Sequence, residues 1–171
     1  AMNSEWVVID YDQSDVGANT NDCAPLPEEP CVQLFISEYG EPDGGNGKYI
    51  EIYNPSSSSI DLSNYEIWKI SNNGTTWPEQ TISLTGSLAA YDAYVIANNV
   101  GDVPGGDLFN SGVINFNGDD PIGLAYNGGA GTTFNLIDVI GEAYATNGGP
   151  GDPGAGWEVA GTAAATANHT M

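Results

Sequence analysis

The segment KYIEIYNPSSSSIDLSNYEIW, residues 48–68, contains two strand-like runs on either side of a serine tract. Successive side chains of a β-strand point to opposite faces. In the first run, KYIEIYN, this alternation places Ile50 and Ile52 on one face and Glu51 on the other. The run therefore predicts a strand with one buried aliphatic face.

The second run, YEIWK, follows the same rule, which separates Tyr65 and Ile67 from Glu66 and Trp68. Between the runs, Asp61 or Ser63 can form hydrogen bonds with nearby backbone amides, as such residues do in turns. The carboxylates of this segment thus have a structural explanation, because they lie on the face opposite the core or in a turn.

Nine such runs follow one another along the chain. They are short, rich in Ile, Val, Tyr and Phe, and divided by turns of Gly, Asn, Pro and Ser, which predicts an antiparallel β-sandwich. A helical period is absent. The runs are VQLFISEY, KYIEIYN, YEIWKI, QTISL, YDAYVIAN, VINFN, PIGLAYN, FNLIDVIGE and GWEVAG. Residues 1–33 form an acidic lead rich in Pro and Asn, so we expect this lead and a sandwich domain over 34–171.

The charge balance excludes several kinds of partner. The 171 residues contain 23 Asp and Glu but only two Lys and no Arg, which gives a formal net charge of −21. Nucleic acids and anionic lipid surfaces should be repelled. No window approaches the roughly 18 consecutive apolar residues of a membrane span, so we expect no membrane insertion.

The two cysteines, Cys23 and Cys31, stand in CAPLPEEPC with three prolines between them. A disulfide would close this stiff segment, and the alternative is a pair of separate thiols. A thiolate metal site is disfavoured because no further Cys and no nearby His exists in the sequence. A disulfide predicts an exported protein, located in the periplasm, on the cell surface or outside the cell.

Leu34 to Met171 resembles the bacterial lamin-tail domain. The resemblance lies in LFISEYGEPDGGNGKYIEIYNPSSSSIDLSNYEI, ISLTGSLAAYDAYVIAN, INFNGDDPIGLAYNGG, LIDVIGE and GWEVAGTAAATANHTM, in that order. It implies an all-β, immunoglobulin-like antiparallel sandwich of about nine strands. It also implies an accessory role in an exported or surface protein, since members occur beside hydrolases and have no defined catalytic residues.

Two functions are not expected for this chain. The basic surface credited with nucleic-acid binding in the lamin branch is missing here, where Lys48 and Lys69 are the only basic side chains apart from His169. A hydrolase is also not expected. The one imidazole, His169, lies near the end of the sequence, and Ser56 to Ser59 have no base at a recognisable spacing.

The densest group of oxygen ligands is DYDQSDVGANTND, residues 10–22. Its alternating oxygens resemble an incomplete calcium loop, without the usual Gly and the terminal Glu, and a solvated acidic linker is the alternative. The candidate metal ligands are Asp10, Asp12, Ser14, Asp15 and Asp22. Asp119 and Asp120 in NGDDP are a second candidate, for which a turn between strands is the alternative. No cofactor is required by the sequence, and Ca²⁺ is the candidate ion.

Three tryptophans, Trp68, Trp77 and Trp157, are candidates for stacking on a ligand, because exposed aromatic rings bind sugar faces while polar side chains bind hydroxyls. Capping of a sandwich edge is the alternative for each. The sequence therefore predicts a non-catalytic interaction module, part of a larger exported polypeptide, which mediates attachment or positioning through a protein or glycan at the cell surface. The alternative is a calcium-dependent or carbohydrate-binding module.

Overall fold

The computed structural model describes residues 33–42, 44–72, 74–142 and 154–171. Within these ranges the chain forms eleven β-strands and one short 3₁₀ turn at Leu62–Asn64, without an α-helix. The strands are β1 Phe35–Glu41, β2 Tyr49–Tyr53, β3 Ile60–Asp61, β4 Tyr65–Lys69, β5 Gln80–Ser83, β6 Ser87–Leu88, β7 Ala93–Ala97, β8 Leu108–Phe109, β9 Ile122–Tyr126, β10 Asn135–Ile140 and β11 His169–Thr170.

Most of these strands belong to two sheets. One sheet has the order β11-β1-β2-β7-β8 and the other has the order β10-β9-β4-β5, while β3 and β6 form a separate two-stranded ribbon. Side chains from both larger sheets meet in one apolar cluster. The predicted all-β sandwich is confirmed by this arrangement.

The alternation predicted for the opening segment is also confirmed. Ile50 and Ile52 on β2 are fully buried, and Glu51 between them is partly exposed. On β4, Tyr65 and Ile67 are buried in the same way. Full burial of such an aliphatic side chain contributes about 1.5–3 kcal/mol, so these inward rows fix which face of each strand meets the other sheet.

The prediction of a strand at VINFN, residues 113–117, is wrong. Its apolar side chains are buried, which explains the composition. Its carbonyl groups, however, bind side chains from other elements. Asn98 Nδ2 donates to the Ile114 carbonyl over 2.6 Å, and Lys48 Nζ donates to the Phe116 carbonyl over 2.5 Å. A buried segment must satisfy its backbone groups, and here side chains replace a strand ladder.

The last predicted run, GWEVAG at residues 156–161, is not a named strand either. Val159 and Thr162 exchange two backbone hydrogen bonds of 3.1 and 2.9 Å. The two residues between them, Ala160 and Gly161, have φ angles of 51° and 82°. Left-handed backbone at both positions makes a tight reversal, which apolar composition alone does not reveal.

Four two-residue strands, β3, β6, β8 and β11, bring the number to eleven instead of about nine. Strand β8 pairs with β7 in parallel, with Ile96 opposite Leu108 and Ala97 opposite Phe109. The other pairs between named strands are antiparallel, so the predicted antiparallel character holds apart from this edge. Such short strands lack an alternating pattern long enough to recognise.

A β-bulge in β10 brings the two sheets together. The register with β9 shifts between Leu136 and Asp138, which leaves Ile137 as the extra residue. Asp138 Oδ2 accepts a hydrogen bond from the Ile36 backbone N over 2.8 Å, and Oδ1 accepts one from the Val139 backbone N over 2.9 Å. One carboxylate thus satisfies backbone donors of two strands.

The serine tract folds into a turn around the side chain of Asn54, which is fully buried. Its Nδ2 donates to the carbonyl groups of Ser58, Leu88 and Ala89 over 2.9, 3.3 and 2.7 Å. Its Oδ1 accepts from the Ser56 backbone N and hydroxyl over 3.0 and 2.7 Å. Asn54 therefore ties the turn to the segment after β6.

We predict that Asn54→Ala lowers the free energy of unfolding by roughly 2–3 kcal/mol, because several buried backbone groups lose their partner at once. Urea denaturation followed by circular dichroism measures this change. Ser57→Ala in the same tract is the matched control, since Ser57 is exposed, and it should stay within about 0.5 kcal/mol of the parent. Equal midpoints for the two variants would contradict the role of Asn54.

A second feature of the core is the stack of Tyr65 on Tyr126, with ring centroids 4.7 Å apart. Burial raises the pKa of Tyr65 from 10.0 to about 12, with a smaller contribution from Tyr126. The folded protein thus favours the neutral phenol. Because the folded pKa is higher than the unfolded one, the stabilisation is fully present below pH 10 and is lost as the pH rises towards 12.

We therefore predict that Tyr65→Phe makes the free energy of unfolding fall less steeply between pH 10 and 12 than it does in the parent protein. Urea denaturation at a series of pH values measures the slope. Tyr91→Phe is the control, because Tyr91 is 62% exposed, and its profile should follow the parent. Identical slopes for Tyr65→Phe and the parent would refute the prediction.

Candidate functional site

The carboxylates of the opening segment serve the fold. Glu51 Oε1 accepts a hydrogen bond from the Ser37 hydroxyl over 2.8 Å, and Glu66 accepts from two neighbouring side chains. Asp61 caps the 3₁₀ turn by accepting from the Ser63 backbone N over 2.9 Å. Hydrogen bonds from Ser63 lower the pKa of Asp61. These carboxylates are accounted for without a reaction.

The three candidate tryptophans are all partly buried. Trp68 lies on the outer face of β4, where its indole N–H donates to Glu66 over 2.7 Å. Trp68 is opposite Gly123 on β9, and the ring of Trp77 also packs over Gly123. Trp157 packs against Gly141. The structure thus brings Trp68 and Trp77 to one glycine, and their role in ligand stacking stays a prediction.

Both lysines of the chain are buried, which sequence reasoning missed. Lys48 is 8% exposed and Lys69 is 2% exposed. The strand alternation contains a signal for the second, since Lys69 continues the inward row of Tyr65 and Ile67. A buried ammonium group is costly unless it is paired and hydrogen-bonded, so the partners of both lysines are informative.

Lys48 Nζ lies 3.2 Å from Glu41 Oε1, in the one salt bridge found among the described residues. It also donates to the Phe116 carbonyl over 2.5 Å and to Asn117 Oδ1 over 3.3 Å. Glu41 Oε2 accepts from the Asn168 backbone N over 2.5 Å. This cluster joins the end of β1, the start of β2, segment 113–117 and the chain just before β11.

Lys69 Nζ donates to Asn115 Oδ1. Burial lowers the pKa of Lys69, and nearby carboxylates, first of all Asp120, partly oppose this effect. Asp120 itself is buried and accepts from the backbone N of Asn72 over 2.7 Å and of Asn117 over 3.0 Å. Asp120 thus acts as a turn residue, in agreement with the alternative reading of NGDDP.

Beside the Lys48 cluster is a polar cavity of about 500 Å³, whose walls include Glu41, Asn117 and Asp119 together with residues 154–156 and 167–168. Over the described ranges, no group of three or more His, Cys, Asp or Glu side chains is arranged to hold a metal ion. The cavity therefore offers polar surface for small species but is not identified as a metal centre.

An apolar groove of about 410 Å³ lies between the end of β10 and residues 157–159. Its walls include Val139, Trp157, Val159 and Met171, and we call it the Trp157 groove. Val139 is 45% exposed, Val159 42% and Met171 36%. Glu158 also lines the groove. A concave apolar surface with a charged residue is the usual form of a binding site.

Other predicted residues lie outside the described part of the chain. These are the calcium candidates Asp10, Asp12, Ser14, Asp15 and Asp22, and the cysteines Cys23 and Cys31. Their roles stay predictions. His169 is described, lies exposed in β11, and its Nδ1 contacts the Ala167 carbonyl. Among the described residues, no helix has the length and apolar character needed to cross a membrane.

We predict that Gly141→Ala lowers the free energy of unfolding by roughly 2–4 kcal/mol. A Cβ at this position would overlap the indole nitrogen of Trp157, and the φ angle of 83° is costly for alanine. Gly128→Ala is the matched control, with φ 81° and open space around the added Cβ, and should cost only about 1–2 kcal/mol. Urea denaturation followed by tryptophan fluorescence measures both; equal losses would mean that Trp157 does not pack on Gly141.

Comparison with known proteins identifies the family of the sandwich domain. A search among curated proteins gives no match to the chain. The family described as Lamin Tail Domain matches residues 27–148, which covers β1 to β10 and all but one of the strands. Together with the two packed sheets, this match shows that the chain belongs to the Lamin Tail Domain family and is an immunoglobulin-like β-sandwich module.

Proposed function

We propose that this chain is a non-catalytic interaction module of an exported bacterial protein, and that it attaches or positions a larger polypeptide by binding a protein partner in the Trp157 groove. The observation that carries the proposal is the groove itself. Val139, Val159 and Met171 each expose more than a third of their surface there. Polar side chains elsewhere, such as Asn54 and Asp138, are used to hold the fold together.

The charge of the chain defines the chemistry of the partner. The net charge is −21, and both lysines are buried in internal contacts. Glu158 adds an acidic group to the groove. A partner segment with an apolar side chain for the groove and flanking Lys or Arg residues would match both features. Nucleic acid does not match, because its phosphates would be repelled.

Addition of a partner strand to β10 is less favourable than side-chain insertion. Asp138 Oδ1 already accepts from the Val139 backbone N, and Asp138 Oδ2 accepts from the Ile36 backbone N. An edge strand blocked by an inward carboxylate is a poor template for further pairing. The partner is therefore expected to bind through side chains.

Export is proposed on the expected Cys23–Cys31 disulfide and on the lamin-tail resemblance. The disulfide would form only in an oxidising compartment. Calcium binding by the acidic lead, through Asp10, Asp12, Ser14, Asp15 and Asp22, is proposed only as a secondary property. Mass spectrometry of the protein recovered from its natural host, without reduction, tests both export and the disulfide.

Carbohydrate binding is the second candidate function, and the placement of both Trp68 and Trp77 next to Gly123 favours it. A Cβ at Gly123 would meet the side chain of Leu136 first and the ring of Trp77 farther away. However, Trp68 is held by Glu66 through its indole N–H, and both rings are partly buried. The two tryptophans would have the same contacts if they only covered the outer face of β9.

We predict that the Trp157 groove binds an extended peptide of alternating Leu and Lys, and that Val139→Ser and Val159→Ser each weaken the affinity by at least about tenfold, through lost apolar contact. Isothermal titration at physiological salt measures the affinity. Val100→Ser is the control variant, since Val100 is 61% exposed and does not line the groove. A peptide with Glu in place of Lys should not bind.

Two results would overturn the proposed function. One is equal binding of the Leu-Lys peptide by the parent, the groove variants and the control, which would indicate non-specific charge attraction. The other is binding of soluble oligosaccharides that Trp68→Ala abolishes while the groove variants leave it unchanged, which would favour the carbohydrate alternative.

A further inference from the structure

We propose that Lys48 and Asn117 react to form an intramolecular isopeptide bond, with Glu41 carrying the proton. Lys48 Nζ lies 3.3 Å from Asn117 Oδ1 and 3.2 Å from Glu41 Oε1, so an amine, a carboxamide and a carboxylate meet at one point. Nothing in the proposed partner binding depends on this bond, and the inference stands independently of it.

The position of the amine is fixed by the fold. Lys48 directly precedes β2, is 8% exposed, and is held from a third direction by the Phe116 carbonyl over 2.5 Å. An amine hydrogen-bonded to a carboxamide oxygen needs only a small side-chain movement to reach the carboxamide carbon. Reacting atoms that are held about 3–3.5 Å apart and aligned reach effective concentrations of about 10⁵–10⁸ M, which makes reactions that are slow in solution accessible.

The surroundings of the cluster contain little water. Glu41 is 6% exposed, and the aromatic stack of Tyr39 on Phe116, with centroids 4.8 Å apart, lies next to it. A desolvated lysine with an adjacent base is a competent nucleophile.

The reaction is an exchange of one amide for another. After Glu41 takes a proton from Lys48, the amine nitrogen attacks Asn117 Cγ, and the new C–N bond forms as the carbonyl electron pair moves onto Oδ1. Glu41 then donates this first proton to Asn117 Nδ2 and takes up the second proton from the amine nitrogen, which it later gives to the released ammonia. The carbonyl reforms, the Cγ–Nδ2 bond breaks, and its electron pair leaves with ammonia. No oxidant or reductant is required, and Glu41 acts as general base and acid.

The structure also provides an exit for the ammonia. Asn117 is exposed, although the amine that faces it is buried. The polar cavity of about 500 Å³ is lined by both Glu41 and Asn117. A small polar molecule released at Cγ therefore enters a polar space instead of the apolar core.

The second lysine provides a comparison within the same chain. Lys69 Nζ contacts the carboxamide of Asn115, two residues before Asn117. In this case, however, no hydrogen bond joins the amine to a carboxylate among the described residues. Asp120, whose carboxylate partly opposes the lowering of the Lys69 pKa by burial, has both oxygens bound to backbone N–H groups. The Lys69–Asn115 pair therefore lacks the proton carrier and should stay unlinked.

Intact-mass spectrometry of the reduced full chain tests the proposal. We expect the major species to be lighter than its sequence by one ammonia, and peptide mapping to join Lys48 to Asn117. Asn117→Ala should restore the full sequence mass, and so should Glu41→Gln. Asn115→Ala is the matched control and should keep the loss of one ammonia. Because Asn117 is exposed, its variant leaves the Lys48–Glu41 ion pair in place, and circular dichroism verifies that it folds.

Three outcomes would overturn the proposal. The first is a parent protein of full sequence mass. The second is deamidation at Asn117, which also releases ammonia but adds water, so that the mass rises slightly instead of falling. The third is a cross-link that maps to Lys69 and Asn115, which would show that the carboxylate contact at Lys48 is not what promotes the reaction.

Discussion

The end of the sandwich at which β1 and β2 meet segment 113–117 depends on the contacts of the Lys48 side-chain nitrogen as the chain folds. A buried ammonium group costs several kcal/mol unless its hydrogen-bonding capacity is met in full. Here the Glu41 carboxylate, the Phe116 carbonyl and the Asn117 carboxamide meet it. These groups come from parts of the chain that are far apart in sequence. The need to satisfy one amine therefore determines how segment 113–117 lies against the sheets.

The acidic composition becomes understandable once the partners of the carboxylates are known. With 23 acids and two lysines, ion pairs cannot neutralise the chain, and one salt bridge is found in the part that the structure describes. The carboxylates instead accept hydrogen bonds from backbone N–H groups, as Asp138 does from Ile36 and Asp107 does from Val95 over 2.8 Å. Hydrogen bonds to a charged acceptor are stronger than neutral ones. Acidic residues thus satisfy backbone donors at strand edges, bulges and turns.

Polar side chains that form hydrogen bonds within the fold are not available to bind a partner, which helps to locate an interaction surface. Asn54, Asp120 and Lys48 are engaged within the fold. The Trp157 groove differs, because apolar side chains at its walls are left exposed. An exposed apolar concavity in a strongly charged module is a candidate for partner binding on physical grounds, since the rest of the fold does not use it.

The sequence by itself determined the class of fold, the inward rows of β2 and β4, and the structural role of Asp61, because these depend on alternation and on local turn chemistry. It did not determine the backbone conformation of residues 113–117, whose apolar side chains are typical of a strand. The carbonyl groups there bind Asn98 and Lys48, two residues from distant elements. Likewise, the contact between Lys48 and Asn117 exists only once the sheets have packed. Tertiary structure decided these features, because hydrogen bonds between residues far apart in the chain leave no periodic signal in the sequence.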